Sequence, residues 1–311
     1  MLNGMLNIYK EAGYTSSDVV AKLRGILHMR KIGHTGTLDP MAEGVLPVCL
    51  GNGTKLASMI EDRDKEYRAV MRLGVSTDTQ DMTGQVLEEA PPELLFSITE
   101  ERIREACASF IGDYDQIPPM YSALKVNGKK LYELARAGRT VERKARRVRI
   151  CELEVEEIVM PLVKMRVVCS KGTYIRTLCE DIGMKLGCPA AMDSLLRTRV
   201  GQFSLGEAQK LAQIEEAVKA GEITSLVRSV ESFFEDALPV RVREEDLRYL
   251  QNGNRLTRDQ LTGNIPAWPG KDQRFRVYDH EGRFYGIYGF DREKKVFVPV
   301  RMFLPSGDRK D

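Results

Sequence analysis

The sequence predicts an α+β protein, in which a larger domain of mixed strands and helices is followed by a small β-rich domain. Two observations carry this prediction. Up to about residue 236, segments of alternating apolar and polar residues are interspersed with segments whose apolar residues recur at helical spacing. From about Pro239 onward, short β-type segments alternate with turns rich in Gly, Pro and Asp. We therefore predict two domains, covering residues 1–236 and 237–311.

The strands of the first domain are recognised by their alternation. In the clearest case Tyr67, Ala69, Met71 and Leu73 fall on one face, and we expect that face to be buried. The predicted strands cover residues 5–10, 65–74, 163–169 and 195–203.

The helices are recognised by apolar periodicity and by residues that start or stop a helix. Ser16 or Ser17 is suited to cap a helix that reaches about Leu27, and Thr99 is suited to cap one that ends at Gly112. A third helix is predicted from near Arg176 to Leu186, because Gly187 supplies a stop. A further helical stretch is expected over residues 205–230.

The small C-terminal domain contains a clear hairpin. Two aromatic-rich segments, 275–278 and 285–288, flank a turn at Glu281-Gly282. Trp268 and the tyrosines of this region are either core residues or platforms for nucleic-acid bases. Aromatic side chains are usually structural, so we favour the core.

Composition excludes several classes of protein. The net charge of +2 on 311 residues does not by itself indicate a nucleic-acid partner. The six cysteines form no Cys-x-x-Cys pair, there are only three histidines, and the polar loop 76–84 offers only Asp78 and Asp81, so we expect no metal site. No segment has the apolar length of a membrane span. We expect a cytoplasmic protein with reduced thiols.

The central segment, residues 33–55, contains five glycines and two prolines. Glycine permits backbone shapes that other residues avoid, and proline interrupts regular hydrogen bonding. We therefore predict a rigid, irregular loop. It holds one carboxylate, Asp39, directly before Pro40, which disfavours the helical region for the residue that precedes it. An isolated Asp-Pro pair is usually only a turn, so the case for a site depends on the surrounding segment.

Two nucleotide-binding loops are excluded by spacing. A phosphate-binding loop of the Walker type requires Gly-Lys-Ser/Thr, whereas Gly53-Thr54-Lys55 has the last two residues inverted. A dinucleotide fingerprint requires glycine three residues after Gly53, where Leu56 stands.

A basic segment lies between Lys125 and Arg149. It carries ten Lys and Arg residues against Glu133 and Glu142, a local excess of eight positive charges. Such a run is usually a solvated face, but next to a functional site it is suited to neutralise the phosphates of a nucleic acid.

Three segments resemble motifs of the TruB-type tRNA pseudouridine synthases. They are Gly-His-Thr-Gly-Thr-Leu-Asp-Pro at 33–40 with its continuation to Pro47, Pro-Pro-x-x-Ser-Ala-x-Lys at 118–125, and Lys-Gly-Thr-Tyr-Ile-Arg at 171–176. The chain departs from the family pattern at two positions. Glu11 stands where the family usually has proline, and Leu196 stands where it more often has arginine. The resemblance implies a mixed, largely antiparallel sheet with flanking helices, a basic thumb-like insertion at about 124–150 and a C-terminal PUA-like RNA-binding domain.

The resemblance also implies residue roles. Asp39 is the expected nucleophile, Arg176 its partner, and Tyr67 the residue that stacks on the target base and is a candidate proton acceptor from C5. On the residues alone, Tyr67 and Leu195 would be core, His34 a polar loop residue and Arg176 half of a surface ion pair. The residues expected to bind substrate or RNA are His34, Tyr174, Leu195, Lys125, Lys129, Lys130, Arg143, Arg146, Arg147 and Arg197.

The implied reaction is the isomerisation of uridine to pseudouridine at position 55 in the T loop of tRNA. The resemblance implies no cofactor or metal, and we expect a monomer without an obligatory protein partner. The alternative is a non-catalytic protein that binds or folds tRNA through the same basic surface, against which Asp39, Tyr67 and Arg176 argue. Glycoside hydrolysis would require two opposed carboxylates, and Glu43 is the only acid close to Asp39 in sequence.

Overall fold

The computed structural model describes residues 2–126 and 128–304. Over these residues the α-helices are α1 Ser16–Leu27, α2 Ala57–Glu61, α3 Pro92–Phe96, α4 Glu100–Ala108, α5 Leu131–Arg136, α6 Ile175–Leu186, α7 Leu211–Lys219, α8 Ile223–Leu226 and α9 Leu247–Gln251. The strands of the first part of the chain are β1 Gly4–Lys10, β2 Ile32–His34, β3 Glu43–Leu50, β4 Lys65–Leu73, β5 Val75–Thr77, β6 Val86–Glu89, β7 Gly112–Gln116, β8 Lys125–Val126, β9 Lys129–Lys130, β10 Arg146–Val159, β11 Leu162–Cys169, β12 Ala190–Val200 and β13 Phe203–Ser204. Those of the last part are β14 Leu238–Val242, β15 Leu261–Thr262, β16 Arg274–Tyr278, β17 Phe284–Asp291 and β18 Val296–Met302.

The main sheet runs in the order β1-β3-β12-β4-β11-β10-β7, with β2 added beside β3 and β13 beside β12. Its pairs are antiparallel except for β3 and β12, which are parallel. This confirms the predicted α+β class with a mixed, largely antiparallel sheet.

The two faces of the sheet differ because strand residues alternate in direction. On β4, Tyr67, Ala69, Met71 and Leu73 are buried and pack with residues of α4 and α6, as the alternation predicts. The intervening residues point to the outer face, where charged pairs such as Arg72–Asp193, at 2.9 Å, replace apolar packing.

A second sheet, in the order β15-β14-β16-β17-β18, forms the C-terminal part. The predicted hairpin is confirmed: β16 and β17 are antiparallel around Gly282, which has φ 86°. Ile287 and Phe303 pack in one cluster with Met5 and Val45, so this sheet lies against the β1–β3 edge of the first. The proposed boundary at 236/237 remains a prediction.

Several expectations about local structure were wrong. The irregular loop predicted over 33–55 is confined to residues 35–42, because the apolar run after Gly44 is buried and forms β3 in spite of Pro47. The helix after Thr99 ends at Ala108 rather than at Gly112, which begins β7. The stretch 205–230 is split into short helices, and Gly221, at φ 75°, separates α7 from α8.

Two corrections concern side chains. The cap of α1 is Thr15, whose side chain accepts from the backbone N–H of Asp18, and not Ser16 or Ser17. Trp268, which we assigned to the core, is 68 % exposed because its loop lies outside the C-terminal sheet. Tyr285 and Tyr288 are fully buried and confirm the core assignment for the tyrosines of β17.

Candidate active site

The loop that carries Asp39 connects β2 to β3, and Lys10 at the end of β1 holds it through hydrogen bonds. The Lys10 ammonium donates to the carbonyls of Pro40, at 2.9 Å, and Ala42, at 2.6 Å. Lys10 is completely buried, and burial lowers its pKa to about 8. The backbone N–H of Gly13 also donates to the carbonyl of Pro40, at 2.9 Å. These bonds fix the backbone that directly follows Asp39.

The end of the loop requires glycine. Gly44 has φ 102°, and a Cβ built there would lie 2.2 Å from the carbonyl oxygen of Arg197 on β12. Because the backbones at Gly44 and Arg197 lie so close, the Arg197 side chain reaches carbonyls at both ends of the loop. Its Nε donates to the carbonyl of Val45 at 2.7 Å, and its Nη2 donates to the carbonyl of Gly36 at 3.3 Å.

Arg197 was expected to contact RNA, and its position in the structure contradicts that expectation. Its exposed fraction is only 2 % and its guanidinium is bound to backbone carbonyls of the catalytic loop. It supports the loop instead of facing a phosphate.

Asp39 and Arg176 form a two-pronged ion pair. Arg176 Nε lies 2.9 Å from Asp39 Oδ2, and Arg176 Nη2 donates to Asp39 Oδ1 at 3.2 Å. The Asp39 side chain is 36 % exposed and that of Arg176 only 5 %, so the carboxylate faces outward from a buried guanidinium. Burial raises the pKa of Asp39, while the guanidinium favours the charged carboxylate. The pair orients the carboxylate and leaves it accessible.

Arg176 also joins three separate parts of the chain. Its Nη1 donates to the carbonyl of Thr79 at 2.7 Å, and its Nη2 donates to the carbonyl of Tyr121 at 2.9 Å. Asp81 Oδ2 lies 3.7 Å from Nη1. This explains why a cation stands at the N-terminal end of α6, where the helix dipole disfavours it.

The loop 78–84 supplies functional residues that sequence reasoning missed. Asp78 and Asp81 were considered as metal ligands and interpreted as turn residues instead, but Asp81 shares Arg176 with Asp39. Gln80 gave no signal in the sequence. It adopts φ 63°, accepts from Thr177 Oγ1 at 2.7 Å and donates to Glu180. Gln80 thereby fastens the loop to α6 beside Arg176.

The expected pocket residues lie on neighbouring elements. Tyr67 on β4 is 8 % exposed, and burial raises the pKa of its hydroxyl, while the nearby Arg197 guanidinium opposes that rise. Leu195 on β12 is the register partner of Ala69, two residues from Tyr67. Tyr174 precedes α6, and the side-chain amide of Gln116 bonds both its N–H, at 2.8 Å, and its carbonyl, at 3.0 Å.

His34 lies at the end of β2, ahead of the catalytic loop. Its Nδ1 accepts from the backbone N–H of Gly36 at 3.4 Å. Burial lowers the pKa of His34, and the charge of Arg197 lowers it further. The imidazole is therefore neutral at physiological pH.

The basic segment is only partly available for RNA. Lys125, Lys129, Arg146 and Arg147 are exposed, while Lys130 and Arg143 are half-buried. Arg143 Nη1 donates to the carbonyl of Pro118 at 3.0 Å, and Arg147 Nη1 lies 3.3 Å from Asp115. Arg146, Arg147 and Arg149 belong to β10 and are therefore carried by the main sheet.

Residues 2–126 and 128–304 offer neither a metal-ligand cluster nor a helix that could span a membrane. These residues contain no group of three or more His, Cys, Asp or Glu side chains placed to hold a metal ion. Among the helices in the same ranges, none has the length and apolar character needed to cross a membrane.

Comparison with known proteins gives a consistent result. Residues 24–175 match the TruB family pseudouridylate synthase N-terminal domain, and residues 176–235 match the tRNA pseudouridylate synthase B C-terminal domain. The chain is 50 % identical to tRNA pseudouridine synthase B of Lachnoclostridium phytofermentans, over 97 % of this chain and 100 % of that protein. It is 45 % identical to the protein of the same name from Alkaliphilus oremlandii, over 97 % of this chain and 99 % of that one.

The fold is also similar to those of solved structures. A chain of an H/ACA RNP bound to a substrate RNA containing 2′-deoxyuridine superposes with a TM-score of 0.68 at 22 % identity, over 98 % of this chain and 86 % of that one. A chain of a Cbf5-Nop10-Gar1 complex gives a TM-score of 0.68 at 25 % identity, over 97 % of this chain and 85 % of that one. The family models over residues 24–175 and 176–235, with the relatives at 50 % and 45 % identity, show that the chain belongs to the TruB family of pseudouridylate synthases.

Proposed function

We propose that this protein isomerises uridine to pseudouridine at position 55 in the T loop of tRNA, with Asp39 as the nucleophile. The observation that carries the proposal is the outward-facing Asp39 carboxylate held at two points by the buried Arg176. The family membership and the relatives named tRNA pseudouridine synthase B support the substrate class.

The reaction breaks the bond between ribose C1′ and uracil N1, turns the base and joins C1′ to uracil C5; C5 gives up a proton and N1 takes one up. Asp39 is suited to form a covalent adduct, at C1′ or at base C6, and to leave again. Because no atom of the substrate is lost except the exchanged proton, the isomerisation is balanced without a cofactor.

The uridine must leave its stack before Asp39 can reach it. We assign Tyr67 to stacking on the extruded base because the family resemblance implies that role and because its position on β4 is two residues from the register partner of Leu195. We also propose Tyr67 as the acceptor of the C5 proton. This requires its hydroxyl to lose its own proton first, which burial opposes and the nearby Arg197 guanidinium favours by its effect on the hydroxyl pKa. Leu195 and Tyr174 supply further walls, and the neutral His34 supports the extruded bases.

Lys125, Lys129, Lys130 and Arg143 would bind the RNA backbone from the thumb-like insertion proposed at about 124–150, and Arg146 and Arg147 would bind it from the start of β10, on the main sheet. We assign residues 1–236 to catalysis and residues 237–311 to a PUA-like RNA-binding domain. We further propose that the protein acts in the cytoplasm as a monomer without an obligatory protein partner.

The direct test is release of tritium from uracil C5 in a labelled T stem-loop. We expect release by the wild-type protein and none by Asp39→Asn, with RNA binding retained. Asp193→Asn is the matched control, because Asp193 pairs with Arg72 on the outer face of the sheet. Wild-type protein that binds the RNA but releases no tritium would favour the alternative, a non-catalytic protein that binds or folds tRNA.

A further inference from the structure

Trp268 is the only tryptophan of the chain, and its side chain is 68 % exposed. It lies in the segment 263–273, between β15 and β16. Tryptophan carries a large apolar surface that is usually covered. Exposure alone does not mark a site, since Phe96 is 89 % exposed, so the case for Trp268 depends on how its loop is held and on the charges around the ring.

The backbone on both sides of Trp268 is held by two arginines. Arg258 donates to the carbonyls of Ile265, at 2.6 Å, and Pro266, at 2.8 Å. Arg292 donates to the carbonyl of Pro269 through Nε, at 3.0 Å, and through Nη2, at 2.8 Å. The ring is thus presented on an anchored backbone, which reduces the entropy lost when a ligand binds.

The surroundings of the ring are suited to an anionic, aromatic ligand. Lys295 Nζ lies 6.0 Å from the centroid of the indole, and Lys271 follows three residues later in the same loop. A nucleotide offers both a π-face for the indole and a phosphate for these ammonium groups. The chemistry therefore favours an unpaired nucleotide over an apolar protein segment.

The loop of Trp268 is held at the end of the β17–β18 hairpin opposite to the end that contacts the first part of the chain. The β17–β18 hairpin contacts the first domain at one end, where Lys55 Nζ donates to the carbonyl of Met302 at 2.6 Å. The turn with Arg292 and Lys295, which supports the Trp268 loop, lies at the opposite end. Gly286, the register partner of Met302, and Asp291, beside the turn, are five residue steps apart, roughly 17 Å at the usual rise of a strand.

From these observations we propose that Trp268 is a stacking platform for an unpaired base of the substrate tRNA outside the T stem-loop, with Lys271 and Lys295 facing the adjoining phosphates. The proposal rests on the proposed function for the identity of the RNA. It assigns to the C-terminal sheet a base contact separate from the uridine at Asp39.

The single tryptophan makes the test specific, because fluorescence excited selectively in indole reports on Trp268 alone. Asp39→Asn protein, which prevents turnover, is titrated with a full-length tRNA transcript and, separately, with the T stem-loop. We expect quenching by the full-length tRNA and not by the stem-loop. No quenching by tRNA, or equal quenching by both RNAs, would overturn the proposal.

Substitution supplies the energetic test. Stacking of one base changes affinity by about tenfold or more. Trp268→Ala should lower the ratio of tRNA affinity to stem-loop affinity about tenfold, and Trp268→Phe should restore most of that ratio. The control is Tyr249→Ala, which removes another exposed aromatic side chain of the C-terminal part and should leave the ratio unchanged. An unchanged ratio in Trp268→Ala, or equal weakening of both RNAs, contradicts the proposal. Tritium release by the wild-type protein is measured in parallel, so that failure of the proposed activity is distinguished from failure of the platform.

Discussion

Replacement of Arg176 by lysine tests whether the geometry of the Asp39 pair, rather than its charge, supports catalysis. The guanidinium makes two contacts with Asp39, at 2.9 and 3.2 Å, and donates to the carbonyls of Thr79 and Tyr121. A lysine ammonium keeps the positive charge but is a single centre that cannot reproduce the planar fork.

The expected loss follows from the bonds removed. A hydrogen bond in which one partner is charged contributes about 1.5–3 kcal/mol, and every bond of the Arg176 guanidinium is of this kind. Lysine keeps one bond to Asp39 and one to a backbone carbonyl. Arg176→Lys therefore loses one bond to Asp39, which is discounted because Asp39 is one-third exposed, and one bond to a backbone carbonyl. We expect a loss of about 3 kcal/mol in transition-state stabilisation, which is roughly a hundredfold decrease in kcat.

The assay is single-turnover tritium release from saturating T stem-loop RNA. Arg72→Lys is the matched control, because Arg72 also pairs with an aspartate at 2.9 Å but on the outer face of the sheet. The rate of tritium release by Arg72→Lys should stay close to that of the wild type. A rate for Arg176→Lys within threefold of the wild type would refute the reasoning.

The pH profile of the same reaction provides a second readout. Burial already raises the pKa of Asp39 above its ordinary value of 3.8, and Arg176 opposes that rise. Activity requires the ionised carboxylate, so the rate falls as pH drops through this raised pKa. Arg176→Lys weakens the opposing interaction, and the acid limb should move to higher pH. Movement to lower pH would contradict this assignment.

Three further predictions concern the residues that hold the loop 78–84 and the loop that carries Asp39 in place. Gln80→Ala should lower kcat about tenfold with little change in KM, because Gln80 holds the loop to Thr177; a rise in KM alone would contradict this. Burial lowers the pKa of Lys10 from 10.5 to about 8, so between these two pH values the unfolded protein binds more protons than the folded protein. The free energy of unfolding of the wild type should therefore rise with pH in this range, by up to about 3 kcal/mol relative to Lys10→Met in denaturant unfolding. A difference between the two proteins that does not change with pH would refute it. Gly44→Ala should destabilise by about 2 kcal/mol or more because of its φ of 102° and the facing backbone, whereas Gly25→Ala, in open space on α1, should stabilise slightly; equal unfolding midpoints would refute the strain argument.

Local signals in the sequence were sufficient for several elements. The alternation at Tyr67, Ala69 and Met71 predicted the buried face of β4, and Gly187, at φ 72°, ends α6 as expected. In residues 33–55, however, glycine and proline content concealed β3. Whether an apolar run becomes a strand there depends on partners far along the chain, here β1 and β12.

The sequence by itself determined the family, the candidate nucleophile and the residue types of the site, because these lie in contiguous motifs with fixed spacing. Only the tertiary structure decided which side chains meet. Arg197 turned out to support the loop, Gln80 to fasten the segment beside Arg176, and Trp268 to be exposed. The physical reason is that hydrogen-bond partners separated by about a hundred residues or more, such as Arg176 with Asp39, are brought together by sheet order and packing, which no local pattern encodes.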